Sequence, residues 1–115
     1  MFNNVYKDKK VLITGNTGFK GSWLSSWLID LGAEVFGISN GIPTKPSMFE
    51  ILDLSNKIIH FNEDIRDYKI VEDIIRKVKP DFLFHMAAQP LVVTSYLEPV
   101  ETISTNVIGT TNILE

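Results

Sequence analysis

Lys10-Val11-Leu12-Ile13-Thr14-Gly15-Asn16-Thr17-Gly18-Phe19-Lys20-Gly21 opens the first structured part of the chain and decides its fold. Val11 to Ile13 are bulky and apolar without alternation, as in a parallel strand buried on both faces. The glycines at 15, 18 and 21 then fall in a G-x-x-G-x-x-G spacing. Gly15 suits a tight turn at the end of the strand. Gly18, lacking a Cβ, lets a pyrophosphate approach the backbone, and Gly21 lets the following helix pack close to the strand. The helix start adds unpaired N–H groups and the positive end of a dipole. The alternative is an ordinary strand-to-helix turn that binds nothing.

Outward from this stretch, composition narrows the class. A chain of 115 residues has room for one core, and 44% hydrophobic residues are ordinary for a globular protein. The net charge of −3, without a long basic run, argues against nucleic acid as a partner. The chain has no cysteine, which excludes disulfides and thiolate catalysis and suits a cytoplasmic protein. MFNNVYKDKK lacks the apolar core of a signal peptide, and no window reaches the apolar length of a membrane span.

Residues 1–9 read as a loose lead-in and 10–115 as one domain. The first strand is expected over Lys10 to Thr14 and the first helix over Gly18 to Leu31, ended by Gly32. Phe19, Trp23, Leu24, Trp27, Leu28 and Leu31 recur at helical spacing, so both tryptophans are expected in the core. A second strand follows over Glu34 to Ser39, then a loop dense in Gly and Pro. Ser47 and Glu50 form a capping-box pattern for a short helix from Met48 to Leu54. A third strand is expected over Ile58 to Phe61. Asp67 caps a third helix with the stripe Ile70, Val71, Ile74, Ile75 and Val78, closed by Pro80. The fourth strand covers Asp81 to Met86. A loop from Pro90 to Glu98 precedes a last helix that starts at Pro99 and buries Val100, Ile103, Val107 and Leu114. The order βαβ(α)βαβα implies an α/β fold: a doubly wound parallel sheet with its ligand at the carboxyl ends of the strands. The helical pattern is still running at Glu115, so an N-terminal part of a longer protein is expected.

The strand ends hold the candidate ligand groups. Ser39 and Asn40 stand where an acidic residue usually binds the adenine ribose; they carry no charge and have no Arg beside them, so NAD is not preferred over NADP on this ground. Lys45 is placed to reach a 2′-phosphate, or is simply a solvated loop lysine. Asp64, with the Ile65 N–H beside it, could meet the adenine amino group; helix capping is the competing role in Glu63-Asp64-Ile65-Arg66-Asp67 and falls to Asp67. Met86-Ala87-Ala88-Gln89 gives a small-residue surface for a ring or a ribose. His85 reads as a packed residue rather than a base. Gln89, Thr94, Ser95 and Tyr96 lie where a substrate could meet a nicotinamide, or are loop residues. His60, Glu63 and Asp64 show no recurring metal-ligand spacing, and no metal is expected. Tyr6 and Lys10 match a Tyr-x-x-x-Lys spacing but sit at the wrong end of the sheet for chemistry.

TGNTGFKGSWL, PTKPSMFE, EDIRD, HMAAQPLV and SYLEPVETISTNVIGT together resemble the extended short-chain dehydrogenase/reductase family, over nearly all of Lys10 to Glu115. The resemblance implies an NAD(P)-binding Rossmann fold. GFKGSW and PTKPSMFE are the narrower markers, and they resemble the dehydratases that act on a CDP-linked sugar. By that resemblance Gly15, Thr17, Gly18, Phe19 and Lys20 line the cofactor pyrophosphate, Asp64 and Ile65 hold the adenine, and Met86, Ala87, Ala88 and Gln89 border the ribose and nicotinamide. Asn16, Ser39 and Asn40 are counted with the cofactor-binding residues by their place in the turn and at the end of the second strand. Gln89, Ser95, Tyr96 and Asn106 are then close to substrate. One departure stands out: the residue after the first glycine is commonly histidine in these dehydratases and is Asn16 here. The resemblance further implies NAD as cofactor, a homodimer, and a catalytic Tyr-x-x-x-Lys pair beyond residue 115. The alternatives are an epimerase or a GDP- or dTDP-sugar dehydratase of the same family, and a non-catalytic NAD(P)-binding regulator.

Overall fold

The computed structural model describes residues 2–40, 52, 54–89 and 92–114. Its centre is a four-stranded, wholly parallel sheet of β1 (Lys10–Thr14), β2 (Glu34–Ser39), β3 (Ile59–Asn62) and β4 (Phe82–His85), in the order β3-β2-β1-β4. The register aligns Leu12 with Phe36 and with Leu83, and Phe36 with Ile59. β1 is paired on both edges and covered on both faces, which is why Val11 to Ile13 are apolar without alternation. The carboxyl ends of all the strands meet along one rim.

The helices divide between the two faces. α1 (Phe19–Asp30) lies on the face of Val11, Ile13 and Val35, with Leu28, Leu54 and Ile58. α2 (Tyr68–Val78) lies on the opposite face, where Val71, Ile74 and Val78 pack with Leu12, Phe36, Ile38 and Ile65. Asp67 caps α2 by accepting from the Ile70 N–H at 3.3 Å, and Lys79 ends it in the left-handed region at φ 51 before Pro80. The end of α1 is a Schellman motif: Gly32, at φ +88, donates to the Ile29 carbonyl and Ala33 to that of Leu28, each at 3.0 Å.

β1 and β2 have the expected bounds; β3 and β4 are displaced or shortened by one residue at each end. The expected helix from Met48 to Leu54, its capping box and Lys45 lie outside the described residues, apart from Leu52 and Leu54; Leu54 opens a 3-10 turn, Leu54–Asn56. Four expectations need correction. The lead-in is not loose: Tyr6 packs on Phe82 with ring centroids 5.0 Å apart, and the Asp8 N–H donates to the Gly32 carbonyl at 3.0 Å. Only the leucines of the α1 stripe, Leu24, Leu28 and Leu31, pack toward the sheet; its aromatic residues do not. Trp23 and Trp27 are 51% and 46% exposed, and the buried positions are Gly21, Ser22, Ser25 and Leu28. The loop before Pro99 contains a helix, α3 (Val92–Leu97).

The last helix is not continuous. α4 (Pro99–Ile103) runs into a π-helical turn, Ser104–Ile108, and then α5 (Gly109–Leu114). The Gly109 N–H reaches back five residues to the Ser104 carbonyl, which changes the phase of all that follows. Beyond that turn Gly109 and Ile113 are buried and Leu114 is exposed; Val107 within the turn, and Val100 and Ile103 ahead of it, are exposed as well, so the expected stripe is not buried.

Candidate functional site

The glycine turn is built by close approach. Gly15 sits at φ +76, and a Cβ there would lie 2.8 Å from the Met86 carbonyl and the Ala87 nitrogen. Its N–H donates to the Ile38 carbonyl at 2.8 Å, so the turn is tied to the end of β2 and pressed against the chain leaving β4. A Cβ on Gly21 would overlap the Gly15 carbonyl, so α1 starts nearer the strand than any side chain permits. Gly18 differs. Its backbone is ordinary, and the nearest atom to an added Cβ is the Gly15 oxygen at 3.4 Å, with open space beyond. Gly18 is the N-cap of α1 and contributes no side-chain cap. The first-turn N–H groups of a twelve-residue helix thus face an open cradle with no side chain filling it. That cradle suits a dinucleotide pyrophosphate, with Lys20 exposed at its edge.

Beside the turn, Thr17 donates its hydroxyl to Ser39 Oγ at 3.0 Å, bringing two expected cofactor residues together at the end of β2. Asn40 is exposed next to them. Asn16 is fully buried beneath the turn, against Gly37, where a Cβ would strike its amide. Its Nδ2 lies 3.1 Å from His60 Nδ1, and its Oδ1 has no hydrogen-bond partner. Burial lowers the His60 pKa. Ser22 donates to the Asn16 carbonyl at 3.0 Å and anchors the turn from α1.

At the end of β3, Asp64 is held by Arg66. The Arg66 Nε donates to both carboxylate oxygens, at 3.0 and 2.9 Å, and its NH2 group reaches Oδ2 at 2.5 Å. The Arg66 guanidinium keeps the Asp64 carboxyl below its ordinary range. Arg66 also meets Glu101 of α4 at 2.8 Å. Ile65 is buried against Gly109, and Asn112 of α5 donates to the Ile65 and Arg66 carbonyls, both at 2.9 Å. The expected adenine pair is thus positioned by Arg66 beside it and by groups from two helical segments, α4 and α5.

Beyond β4, Met86 and Ala88 are exposed and Ala87 is half-buried. Asn106, inside the π-helical turn, clamps the Gln89 backbone: its Oδ1 accepts the Gln89 N–H at 2.7 Å and its Nδ2 donates to the Gln89 carbonyl at 3.1 Å. The Gln89 side chain donates to Thr102 Oγ1 at 3.0 Å. Ser95 and Tyr96 lie on α3; Ser95 is half-buried and Tyr96 is 82% exposed. His85 is half-buried between Thr14 and Thr110, hydrogen-bonded at both ring nitrogens, in keeping with a packed rather than catalytic residue. Sequence reading missed Thr14, Arg66, Glu101, Thr102, Thr110 and Asn112, which hold the expected residues in place. The one available signal was a threonine closing a buried strand immediately before a glycine turn. Among the described residues no group of three or more metal-ligating side chains occurs, and no helix is long and apolar enough to cross a membrane.

The parallel order β3-β2-β1-β4 with an uncapped glycine turn at the rim defines a Rossmann-type nucleotide-binding fold. Solved structures agree. UDP-glucose 4-epimerase of Thermotoga maritima, with UDP-glucose, superposes with a TM-score of 0.81 at 31% identity, over 91% of this chain and 32% of that one. UDP-glucose 4-epimerase of Thermus thermophilus, in complex with NAD, gives 0.80 at 32% identity over the same shares. The family described as GDP-mannose 4,6 dehydratase matches residues 12–115, and the chain belongs to that family. CDP-glucose 4,6-dehydratase of Salmonella typhimurium is 51% identical over 112 residues, 97% of this chain and 31% of that protein. GDP-mannose 4,6-dehydratase of Vibrio cholerae is 33% identical over 118 residues, 93% of this chain and 30% of that protein. The chain spans about a third of the length of the curated relatives it matches.

Proposed function

We propose that this chain is the cofactor-binding part of an NAD-dependent CDP-glucose 4,6-dehydratase. The observation that carries the cofactor half of this reading is the open cradle at Gly18. The N–H groups of the first turn of α1 hold the pyrophosphate there, and Lys20 adds positive charge at its edge. Asp64 presents a carboxylate to the adenine amino group, oriented by Arg66. Ala87 and Ala88 leave space for the nicotinamide ribose, and the Asn106 clamp fixes the direction of Gln89. Bound there, NAD would supply a hydride acceptor and donor for an internal redox elimination of water across C5–C6 of the sugar. The residues described here bind and orient; their part is to hold cofactor and sugar in one geometry.

The choice of CDP-glucose is supported by identity of 51% to that enzyme, against 33% to a GDP-mannose enzyme. NAD as the cofactor is supported by the complex of the Thermus relative. The exposed apolar residues Val100, Ile103 and Val107 support a homodimer, and the reading places the protein in the cytoplasm. A second reading, a UDP-sugar 4-epimerase, is supported by the fold likeness to two such enzymes.

The test is calorimetric titration of NAD+ and NADP+ into the protein, then product analysis with CDP-glucose, GDP-mannose and UDP-glucose. A 4-keto-6-deoxy product from CDP-glucose is expected. Epimerised UDP-glucose would favour the second reading, and binding without turnover of any sugar nucleotide would leave a regulator.

A further inference from the structure

His85 links three elements through a hydrogen-bond chain whose direction can be worked out. Thr14 Oγ1 accepts the Ala87 N–H at 3.2 Å and the Met86 N–H at 3.0 Å, the latter shared with the Thr14 carbonyl, also at 3.0 Å. A hydroxyl has two acceptor lone pairs and one proton. With both lone pairs engaged, the Thr14 proton is directed to its remaining described neighbour, His85 Nδ1, at 2.6 Å. Nδ1 therefore accepts and carries no hydrogen. A neutral imidazole then bears its proton on Nε2, which lies 2.8 Å from Thr110 Oγ1.

We infer that His85 is a positioning residue that works only as the neutral Nε2–H tautomer: through Thr14 it fixes the Met86 and Ala87 peptides against the glycine turn, and through Thr110 it ties that rim to α5. Its effect on cofactor binding rests on the dinucleotide reading; the tautomer itself does not. A second proton on the ring would place an N–H at Nδ1 against an oxygen that already receives two donors. The Thr14 proton would lose its acceptor, and the Met86 or Ala87 contact would have to open. Gly15 packs directly against those two peptides, so the opening would be felt in the pyrophosphate cradle. The groups that meet the ring nitrogens, Thr14 from β1 and Thr110 from α5, are uncharged, and burial alone disfavours the charged ring.

The test is a long-range ¹H–¹⁵N spectrum of labelled protein across pH, with and without NAD+, joined to NAD+ titrations of two variants. His85→Asn keeps an amide near the Nδ1 position, whose oxygen can accept from Thr14, whereas His85→Gln carries its amide to the Nε2 position and leaves Thr14 without an acceptor. The expected spectrum shows an unprotonated Nδ1. The Asn variant is expected to bind NAD+ within about threefold of the parent with a flat acid limb, and the Gln variant about tenfold more weakly. The parent is expected to lose affinity as His85 protonates. An Nδ1–H tautomer would overturn the inference, even if neither variant folds. So would equal losses in both variants with the acid limb unchanged. No NAD+ binding at any pH, with Nδ1 unprotonated, would overturn the dinucleotide reading and support the tautomer.

Discussion

α1 and α2 both carry an apolar stripe at helical spacing, yet they meet the sheet in opposite ways. α2 buries its stripe: Val71, Ile74 and Val78 fill the space over Leu12 and Phe36. α1 turns its aromatic residues outward and packs through Gly21, Ser22, Ser25 and Leu28. The difference follows from what each helix start does. α2 begins at a side-chain cap and needs only to cover a hydrophobic face. α1 begins at a glycine turn whose close approach to the strand, Gly21 against Gly15, leaves no room for large side chains in its first turns. The serines satisfy their hydroxyls locally, Ser22 on the Asn16 carbonyl and Ser25 on that of Gly21. A helix drawn close to a strand by a glycine turn is fitted by its smallest residues; a helix that only covers a core is fitted by its largest.

The largest effect that bears on this contrast is expected from Gly21→Ala. The added methyl meets the Gly15 backbone, and we expect a loss of about 3–4 kcal/mol in urea unfolding. A neutral result would remove close approach as the reason for the α1 packing. Next, Ile74→Ala in α2 is expected to cost about 3 kcal/mol by the same measurement. Gly18→Val finds open space, so stability should change by no more than about 1 kcal/mol. NAD+ affinity should nevertheless fall by about a hundredfold or more. A folded Gly18→Val that binds normally would show that the cradle is not the site. A smaller effect concerns pH on both faces, through His60 beside Asn16 and His85 beside Thr14. Burial lowers both pKa values, so as pH falls below about 6.5 the unfolded chain takes up protons first and stability declines. Urea midpoints that stay level between about pH 7.5 and 5.5 would contradict this. Smallest of all, Trp23→Ala should cost less than about 1 kcal/mol, since Trp23 is half exposed and meets Phe19 edge-on. A cost near that of Ile74→Ala would erase the contrast between the helices.

Much of this architecture is legible from residues alone. The bounds of β1 and β2 follow from unbroken apolar runs that stop at Gly15 and Asn40, and the α2 limits follow from Asp67 and Pro80. The glycine turn is legible because its spacing is a steric requirement. The α1 face misleads because periodicity weighs Trp and Phe above Ser and Gly, although proximity to the strand excludes the former. The last helix misleads beyond Ser104 because a 3.6-residue period is assumed across Ser104–Ile108, where the chain takes a wider turn, and before it because Val100 and Ile103 are apolar without being buried. Thr14 is signalled only by its place at the end of a buried strand before the glycine turn; the support given by Thr110 and Asn112 has no sequence signal, because each partner is distant along the chain and polar residues carry no period.

The central place of β1 also has a consequence in time. Its β2 edge can be satisfied early in synthesis, but its other edge waits for β4. From the end of β3 at Asn62 to the end of β4 at His85 the ribosome must add 23 residues. At about 5–20 residues per second that is roughly 1–5 s. During that interval the most apolar strand of the nascent chain presents a bare hydrogen-bonding edge, the form in which strands recruit strangers. The strand that anchors the finished sheet is thus its chief hazard while the chain is being made, and slower translation between β3 and β4 should raise the share of aggregated product.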